Sequence, residues 1–221
     1  MKLLINALVK FIVGVALIAA LLFLPAGTIA YPYAWLFMAL LFIPVMIMGV
    51  VLYIKAPDLL EKRLNRKEKE GVQKGVILFS GLMFISGFAV SALDFRFGWS
   101  EVPVWLVAVA SVLFILGYLG FAEVMRENAY LSRAIEVTDG QRVVDTGLYG
   151  IVRHPMYLAT LLMFLPMPLI LGSFWGLLAF AAYPVIIVVR IIGEEKLLTA
   201  ELEGYAEYKK RVRYRLIPFI F

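Results

Sequence analysis

The fold is decided by residues 157–192, which read YLATLLMFLPMPLILGSFWGLLAFAAYPVIIVVRII. This stretch is nearly twice as long as the roughly 20 apolar residues with which one helix crosses a bilayer. Pro166, Pro168 and the pair Gly172-Ser173 interrupt it, and such residues end or bend helices. We therefore predict a helical hairpin of two spans, the first of them short, with its tip near Gly172.

Four further apolar segments precede the hairpin, at about 7–24, 32–54, 76–93 and 103–122. Each is long enough to cross a bilayer. The chain is thus predicted to be all-α, a polytopic bundle of about six transmembrane spans that includes the C-terminal hairpin. The first 30 residues also resemble a signal peptide. Because their apolar run is long enough to span, we expect it to be retained as the first helix.

The composition independently favours lipid as the solvent. The 221 residues are 63% hydrophobic and 17% charged, with a mean hydropathy of +0.91. Soluble domains average roughly 45–50% apolar and about 25% charged residues. The chain has no cysteine and one histidine, which excludes disulfides, thiolate chemistry and multi-histidine metal sites. We expect no metal.

Basic residues mark one side of the membrane. They lie in the link after span two (Lys55, Lys62, Arg63, Arg66, Lys67, Lys69, Lys74), in the link after span four (Arg126, Arg133, Arg142, Arg153) and in the tail (Lys196, Lys209, Lys210, Arg211, Arg213, Arg215). The positive-inside rule then places both termini in the cytoplasm. Attraction to anionic lipid headgroups explains the net charge of +5 better than nucleic-acid binding does. We also expect a solvated or interfacial helix at 58–74 and, from the compact N-terminal half, a prokaryotic plasma membrane.

Polar residues near membrane depth are costly and are the first candidates for function. They collect in two places, in the run GLYGIVRHPMY at 147–157 and at Arg190, Glu194 and Glu195. The hairpin returns the chain to its starting side, so these groups should meet. Taken singly, each has a structural explanation: an ion pair ending a helix, a capping histidine, or aromatic residues at the interface. Their predicted convergence favours a functional site.

The combination resembles the signature of integral-membrane methyltransferases, which include isoprenylcysteine carboxyl methyltransferases and phospholipid N-methyltransferases. The residues that carry the resemblance are Arg153-His154-Pro155-x-Tyr157, Glu194-Glu195 after the hairpin, the approach Val143–Tyr149 and the tail Gly204–Pro218. It extends from about Asn128 to the end of the chain. We accordingly divide the chain into N-terminal transmembrane helices, 1–125, and a catalytic part, 126–221.

The resemblance implies S-adenosylmethionine as the cofactor. Carried over residue by residue, it implicates in cofactor binding Gln141, Arg142, Val143, Val144, Tyr149, His154, Pro155, Met156, Tyr157 and Glu194. It associates Arg190 with the methyl acceptor, and we name Glu195 with Arg190 as a candidate catalytic residue. The family also uses an upstream glutamine, where this chain has Ala134. Asn128 and Arg133 are candidate replacements.

The residue chemistry agrees with these roles. Glu194 can pair with the cofactor's ammonium, and His154 or Arg153 can bind its carboxylate through charge-assisted hydrogen bonds. Tyr149 and Tyr157 offer ring faces to the adenine or to the sulfonium, and the backbone amides of 143–144 can contact the adenine edge. Such a site works mainly by alignment.

The acceptor remains open at this stage. A carboxylate needs no general base, whereas an amine would need one, with Glu195 or Glu194 as the candidate. Arg190 favours a carboxylate or a phosphate. We expect a lipophilic acceptor entering from the bilayer, prenylcysteine-type carboxylates ahead of phospholipid amines, with small thiols a third possibility. A transporter is disfavoured because spans one to four lack ionisable residues at their centres. A non-catalytic membrane scaffold is the remaining alternative.

Overall fold

The computed structural model describes residues 2–65, 71–128, 130, 137 and 140–221. Its helices are α1 Lys2–Ala26, α2 Pro32–Lys55, α3 Pro57–Asn65, α4 Gly71–Phe97, α5 Val104–Glu127, α6 Pro155–Phe164, α7 Met167–Ile170, α8 Gly176–Phe180, α9 Tyr183–Glu201 and α10 Tyr205–Arg211, with a 3₁₀ turn at Gly147–Gly150. The described residues contain no strand. The predicted all-α class is confirmed.

Five helical stretches have the length and hydropathy of membrane spans: Lys2–Ala26, Pro32–Lys55, Lys74–Phe97, Val104–Glu127 and Gly176–Glu201. A sixth, Pro155–Ile170, is apolar but shorter. This matches the predicted six spans with a short fifth. Of the predicted interfacial helix at 58–74, residues 58–65 lie in α3 and residues 71–74 lie in α4, whereas residues 66–70 lie outside the described residues.

The tip of the hairpin reaches the far end of the bundle. The Tyr31 hydroxyl, in the link between α1 and α2, donates to the Leu171 carbonyl at 2.5 Å. The Ser173 hydroxyl donates to the carboxylate of Asp94, a fully buried residue near the end of α4, also at 2.5 Å. Gly172 takes the left-handed φ of +76° that the turn requires. The hairpin tip therefore lies at the same end of the bundle as the C-terminal end of α4.

Glycines let the hairpin pack closely on the other helices. A Cβ at Gly117 of α5 would lie 2.6 Å from Met163 Cγ and 2.8 Å from the Ala159 carbonyl oxygen of α6. Gly87 of α4 likewise leaves room for the Phe180 ring of α8. Small residues at helix crossings are typical of membrane bundles, where close van der Waals contact replaces the hydrophobic driving force.

The end of the bundle opposite the hairpin tip carries the two predicted groups of polar residues and the C-terminal tail. The main chain of 153–154 pairs there with the C-terminal tail, and Lys10 of α1 reaches the C-terminal end of α3. This arrangement agrees with charged links on one side. The cytoplasmic assignment of that side, and the division of the chain at 125/126, stay predictions.

Candidate active site

The two groups of polar residues meet, because the hairpin brings the start of α6 to the end of α9. His154 is the residue before α6, and Pro155 occupies the first helical position, where its missing N–H costs nothing. The His154 Nδ1 atom lies 3.8 Å from Glu194 Oε2, and its Nε2 atom lies 3.3 Å from Glu195 Oε1. The predicted convergence is confirmed.

Tyr157 links a cation and an anion on α9. Its hydroxyl donates to Glu194 Oε2 at 2.6 Å and accepts a hydrogen bond from Arg190 Nε at 3.0 Å. Arg190 and Glu194 are four residues apart and so share a face of α9. The Tyr157 ring is stacked with His154, with centroids 5.6 Å apart and planes 27° apart. These contacts hold the four side chains in one arrangement.

The 3₁₀ turn presents Tyr149 to the same place. The Glu127 carboxylate, at the end of α5, accepts a hydrogen bond from the Leu148 amide at 3.0 Å. The Tyr208 hydroxyl of α10 donates to the Tyr149 carbonyl at 2.7 Å. The Asn128 side-chain amide donates to the Tyr149 hydroxyl at 2.9 Å. Burial raises the pKa of Tyr149 to about 12, so this phenol is neutral at physiological pH.

Glu195 is the centre of a buried ion cluster. Its carboxylate accepts hydrogen bonds from Arg153 Nε at 2.7 Å and from Arg215 Nε at 3.0 Å, beside the contact with His154. Glu195 is 3% exposed. A buried carboxylate needs such partners to offset its desolvation. These three partners join the end of α9 to the start of α6 and to the tail.

The C-terminal tail is fastened to the histidine segment through its main chain. The Arg153 amide donates to the Tyr214 carbonyl at 2.9 Å, and the His154 amide donates to the Arg215 carbonyl at 2.8 Å. Arg153 Nη1 also donates to the carbonyls of Val212 and Arg213, at 2.7 and 2.8 Å. The tail therefore fixes the backbone from which His154 projects.

A cavity lies where these elements meet. Its described lining residues are Asn128, Tyr130, Gln141, Arg142, Val143, Val144, Tyr149, Arg153, His154, Met156, Tyr157, Arg190, Glu194, Leu198, Leu202, Tyr205 and Tyr208. Of the residues proposed from sequence, all but Pro155 and Glu195 line it. Arg133 and Ala134 lie outside the described residues. Within the part of the chain that is described, no group of three or more His, Asp or Glu is arranged to hold a metal.

The role of two predicted residues changes with this geometry. Pro155 starts α6 and does not line the cavity, so its role is to set the start of that helix. Glu195 was named as a candidate catalytic residue, but its carboxylate points into the ion cluster. Helix geometry separates neighbouring residues by about 100°, and the fold turns Glu194, not Glu195, toward the cavity. The catalytic role of Glu195 stays a prediction, and its position favours a role in holding the site together.

Five lining residues had no assigned role from sequence: Tyr130, Leu198, Leu202, Tyr205 and Tyr208. Leu198 and Leu202 follow Glu194 at intervals of four, so they continue the same face of α9. That spacing could have identified both leucines as lining residues from the sequence. Tyr205 and Tyr208 belong to the tail motif and were noted there without a role.

The chemistry of the lining suits a small, charged, aromatic ligand, but the cavity is narrow. Its inner volume is about 100 Å³, and the space free of atoms, counted with the open mouth, is about 840 Å³. Small-molecule sites usually enclose roughly 300–1,000 Å³. A cofactor of the size of S-adenosylmethionine would therefore use the mouth of the cavity or require its walls to move apart.

A comparison with known families decides the class of protein. The model of the family described as phospholipid methyltransferase matches residues 105–204. Residues 105–204 belong to the phospholipid methyltransferase family. The matched range runs from α5 through the hairpin to the end of α9 and contains every site residue proposed from sequence. The suspected kinship with integral-membrane methyltransferases is thus confirmed. Together with the apolar spans, the match supports an integral-membrane methyltransferase.

Proposed function

We propose that this phospholipid methyltransferase family member transfers a methyl group from S-adenosylmethionine to a lipophilic carboxylate of the prenylcysteine type. The observation that carries the proposal is the chain Arg190–Tyr157–Glu194 on the cavity wall. It sets one cation and one anion side by side, joined by a hydroxyl. A site that accepts a cationic methyl donor and an anionic acceptor needs both charges.

On the donor side, S-adenosylmethionine when bound supplies a methyl group activated by its sulfonium. Glu194 would pair with the ammonium group, because it is the carboxylate of α9 that faces the cavity. Tyr149 and Tyr157 offer ring faces to a cation or to adenine, contacts worth about 0.5–2 kcal/mol. The backbone of 143–144, which also lines the cavity, is available to the adenine edge.

On the acceptor side, Arg190 would orient a carboxylate through charge-assisted hydrogen bonds. A carboxylate acceptor is already an anion, so the site needs no general base. Arg190 is held by the Tyr157 hydroxyl at 3.0 Å, which restricts the guanidinium before the acceptor arrives. Preorganisation of this kind lowers a barrier through alignment.

The depth of the site supports a lipophilic acceptor. The first limb of the hairpin, Pro155–Ile170, is about 24 Å long at 1.5 Å per residue. This length is less than the roughly 30 Å thickness of a bilayer's hydrocarbon core. The far end of this limb leads to the hairpin tip, which contacts the link between α1 and α2 and the end of α4. His154, at its near end, should therefore lie below the membrane surface, where an apolar tail can approach from lipid while the cofactor arrives from water.

A phospholipid amine is the second candidate acceptor, favoured by the description of the matching family. An amine has to lose a proton, and the base would be Glu194, because Glu195 is held by Arg153 and Arg215. Glu194 would then serve both the cofactor and the acceptor. A small thiol is a further alternative within the same enzyme class.

The test is methyl transfer by the purified full-length protein in lipid nanodiscs. Radiolabelled S-adenosylmethionine is supplied with a prenylated cysteine, with phosphatidylethanolamine or with a small thiol. We expect label on the prenylated cysteine, released as methanol by mild alkali because methyl esters are alkali-labile. Label confined to the phospholipid headgroup would replace our proposal by the amine candidate. Folded protein that neither binds the cofactor nor labels any acceptor would refute both.

A further inference from the structure

The hydroxyl of Tyr205 differs from the other polar groups of the active-site cavity. Tyr205 begins α10 and lines the cavity. Its side chain is buried, with 4% of the residue exposed, and its hydroxyl has no hydrogen-bond partner among the described residues. Buried hydroxyl groups nearly always have a partner, because their removal from water is otherwise unfavourable. A ligand in the cavity can supply the missing acceptor.

Neighbouring tyrosines of the cavity are bonded within the protein. The Tyr208 hydroxyl, on the same helix, donates to the Tyr149 carbonyl at 2.7 Å. The Tyr157 hydroxyl donates to Glu194 at 2.6 Å. These hydroxyl groups hold the walls of the cavity together. The Tyr205 hydroxyl has no such task within the described residues and is available to a ligand.

The ring and the hydroxyl of Tyr205 have different surroundings. The ring belongs to an apolar cluster with Tyr208, against which Val143 packs. Burial raises the pKa of Tyr205, and the negative charges of Glu195 and Glu194 raise it further. Such an effect falls off with distance, so the phenol lies near both carboxylates. The hydroxyl is therefore a neutral donor close to Glu194 but not bonded to it.

The two residues named from sequence for the cofactor's carboxylate are engaged elsewhere. Arg153 donates through Nε to Glu195 and through Nη1 to two carbonyls of the tail. The His154 ring nitrogens lie 3.8 Å from Glu194 Oε2 and 3.3 Å from Glu195 Oε1. These contacts compete with the carboxylate of a ligand. A nearby donor without such a contact is better placed for it.

We propose that the Tyr205 hydroxyl donates a hydrogen bond to the carboxylate of S-adenosylmethionine. This assignment rests on the proposed function, in which Glu194 pairs with the cofactor's ammonium group. The ammonium and the carboxylate are attached to the same carbon atom, so the pairing brings the carboxylate close to Glu194. A phenol bonded to an ionised acceptor makes a strong hydrogen bond. Tyr205 thereby selects ligands that keep the amino-acid carboxylate.

The experiment is calorimetric titration of the full-length protein in nanodiscs with two compounds. One is S-adenosylmethionine, and the other is its decarboxylated form, which keeps the adenosine, the sulfonium and the ammonium. The wild type should bind the complete cofactor more tightly. A hydrogen bond to a charged group corresponds to roughly 10- to 150-fold in affinity. Tyr205→Phe should weaken binding of S-adenosylmethionine by that factor and leave binding of the decarboxylated compound nearly unchanged.

The Tm without ligand separates binding from a structural role. Tyr205→Phe removes a hydroxyl that is buried without a partner among the described residues, so the Tm should be unchanged or higher than that of the wild type. Tyr208→Phe is the matched comparison on the same helix, because its hydroxyl is bonded to the Tyr149 carbonyl. It should lower the Tm and affect the two compounds alike.

The possible results distinguish this inference from the proposed function. A folded wild type that binds neither compound would refute both. If the wild type binds S-adenosylmethionine, an equal loss for both compounds in Tyr205→Phe, or no loss for either, would overturn the role of Tyr205 alone. So would a Tm of Tyr205→Phe as low as that of Tyr208→Phe. Equal affinities of the wild type for the two compounds would overturn the carboxylate contact even if Tyr205→Phe failed to fold.

Discussion

The hydroxyl of Tyr157 lies between Glu194 and Arg190, donating to the first at 2.6 Å and accepting from the second at 3.0 Å. Tyr157 lies in the first turn of α6, on the first limb of the hairpin, and the other two residues lie in α9, on the returning limb. The hydroxyl thus couples the two limbs at the cavity and sets the orientation of both charged groups. It is the contact on which the proposed geometry of methyl transfer most depends.

Removal of that hydroxyl should impair function more than stability. Tyr157→Phe keeps the stack on His154 but deprives Glu194 and Arg190 of their shared partner. A hydrogen bond to a charged group is worth about 1.5–3 kcal/mol, so we expect kcat/KM to fall roughly 10- to 150-fold. Tyr118→Phe, which removes a hydroxyl bonded to the Leu41 carbonyl outside the cavity lining, should leave kcat/KM near the wild-type value. Equal kcat/KM values for Tyr157→Phe and the wild type would show that the Tyr157 hydroxyl does not contribute to the mechanism.

Substitution of Glu195 should act on stability. Glu195→Gln leaves the buried Arg153 without its anionic partner, and breaking a buried pair costs about 3–5 kcal/mol. The lower part of that range is expected, because Arg215 is partly exposed and glutamine still accepts hydrogen bonds. The Tm in detergent should fall by several degrees, while the exposed Glu201→Gln on the same helix should not lower it. A Glu195→Gln protein with wild-type Tm and no activity would instead favour the catalytic role.

Gly147 should not tolerate a side chain. It has a φ of +53°, and a Cβ there would collide with the Glu127 carboxylate that holds the 3₁₀ turn. Gly147→Ala should displace Tyr149 and weaken cofactor binding, measured by calorimetric titration. Gly140 has a similar φ of +72°, and no atom of the described residues lies within 4 Å of its Cβ position. Gly140→Ala therefore carries only the backbone cost, about 1–2 kcal/mol. Similar cofactor affinities in the two variants would contradict the proposed role of the turn.

The crossing of α5 and α6 should depend on Gly117. A methyl group there would press on the Ala159 carbonyl and Met163, and overpacking of this kind costs about 1–3 kcal/mol. We expect Gly117→Ala to lower the Tm and to reduce activity, because α6 carries the site residues. Gly120→Ala, whose Cβ would lie 3.6 Å from that of Ala159, should be tolerated. A lower Tm for Gly120→Ala than for Gly117→Ala would show that close packing at Gly117 does not limit the stability of the bundle.

The membrane architecture was predictable because lipid imposes a simple rule on sequence. Every span must be apolar for about 20 residues, and Pro166, Pro168 and Gly172 interrupted the only longer run. Helix ends were less predictable. The start of α4 at Gly71 precedes the apolar part of that helix, and polar residues can extend a helix beyond the bilayer.

The site was predictable in its members but less so in their orientation. His154, Tyr157, Arg190 and Glu194 were expected together and lie together. The separate role of Glu195 depends on Arg153 and on the tail folding back over 153–154. Main-chain hydrogen bonds of that kind leave no pattern in side chains. Leu198 and Leu202 were overlooked because apolar residues on a membrane helix do not stand out.

The central claim is that the cavity beside Glu194 binds S-adenosylmethionine, and calorimetric titration of the full-length protein in nanodiscs tests it most directly. We predict saturable binding of one cofactor to the wild type. In Glu194→Gln we predict binding at least about tenfold weaker, the loss of one charged hydrogen bond, at an unchanged Tm. A folded wild-type protein that does not bind the cofactor, or a Glu194→Gln variant that binds it equally well, would contradict the account.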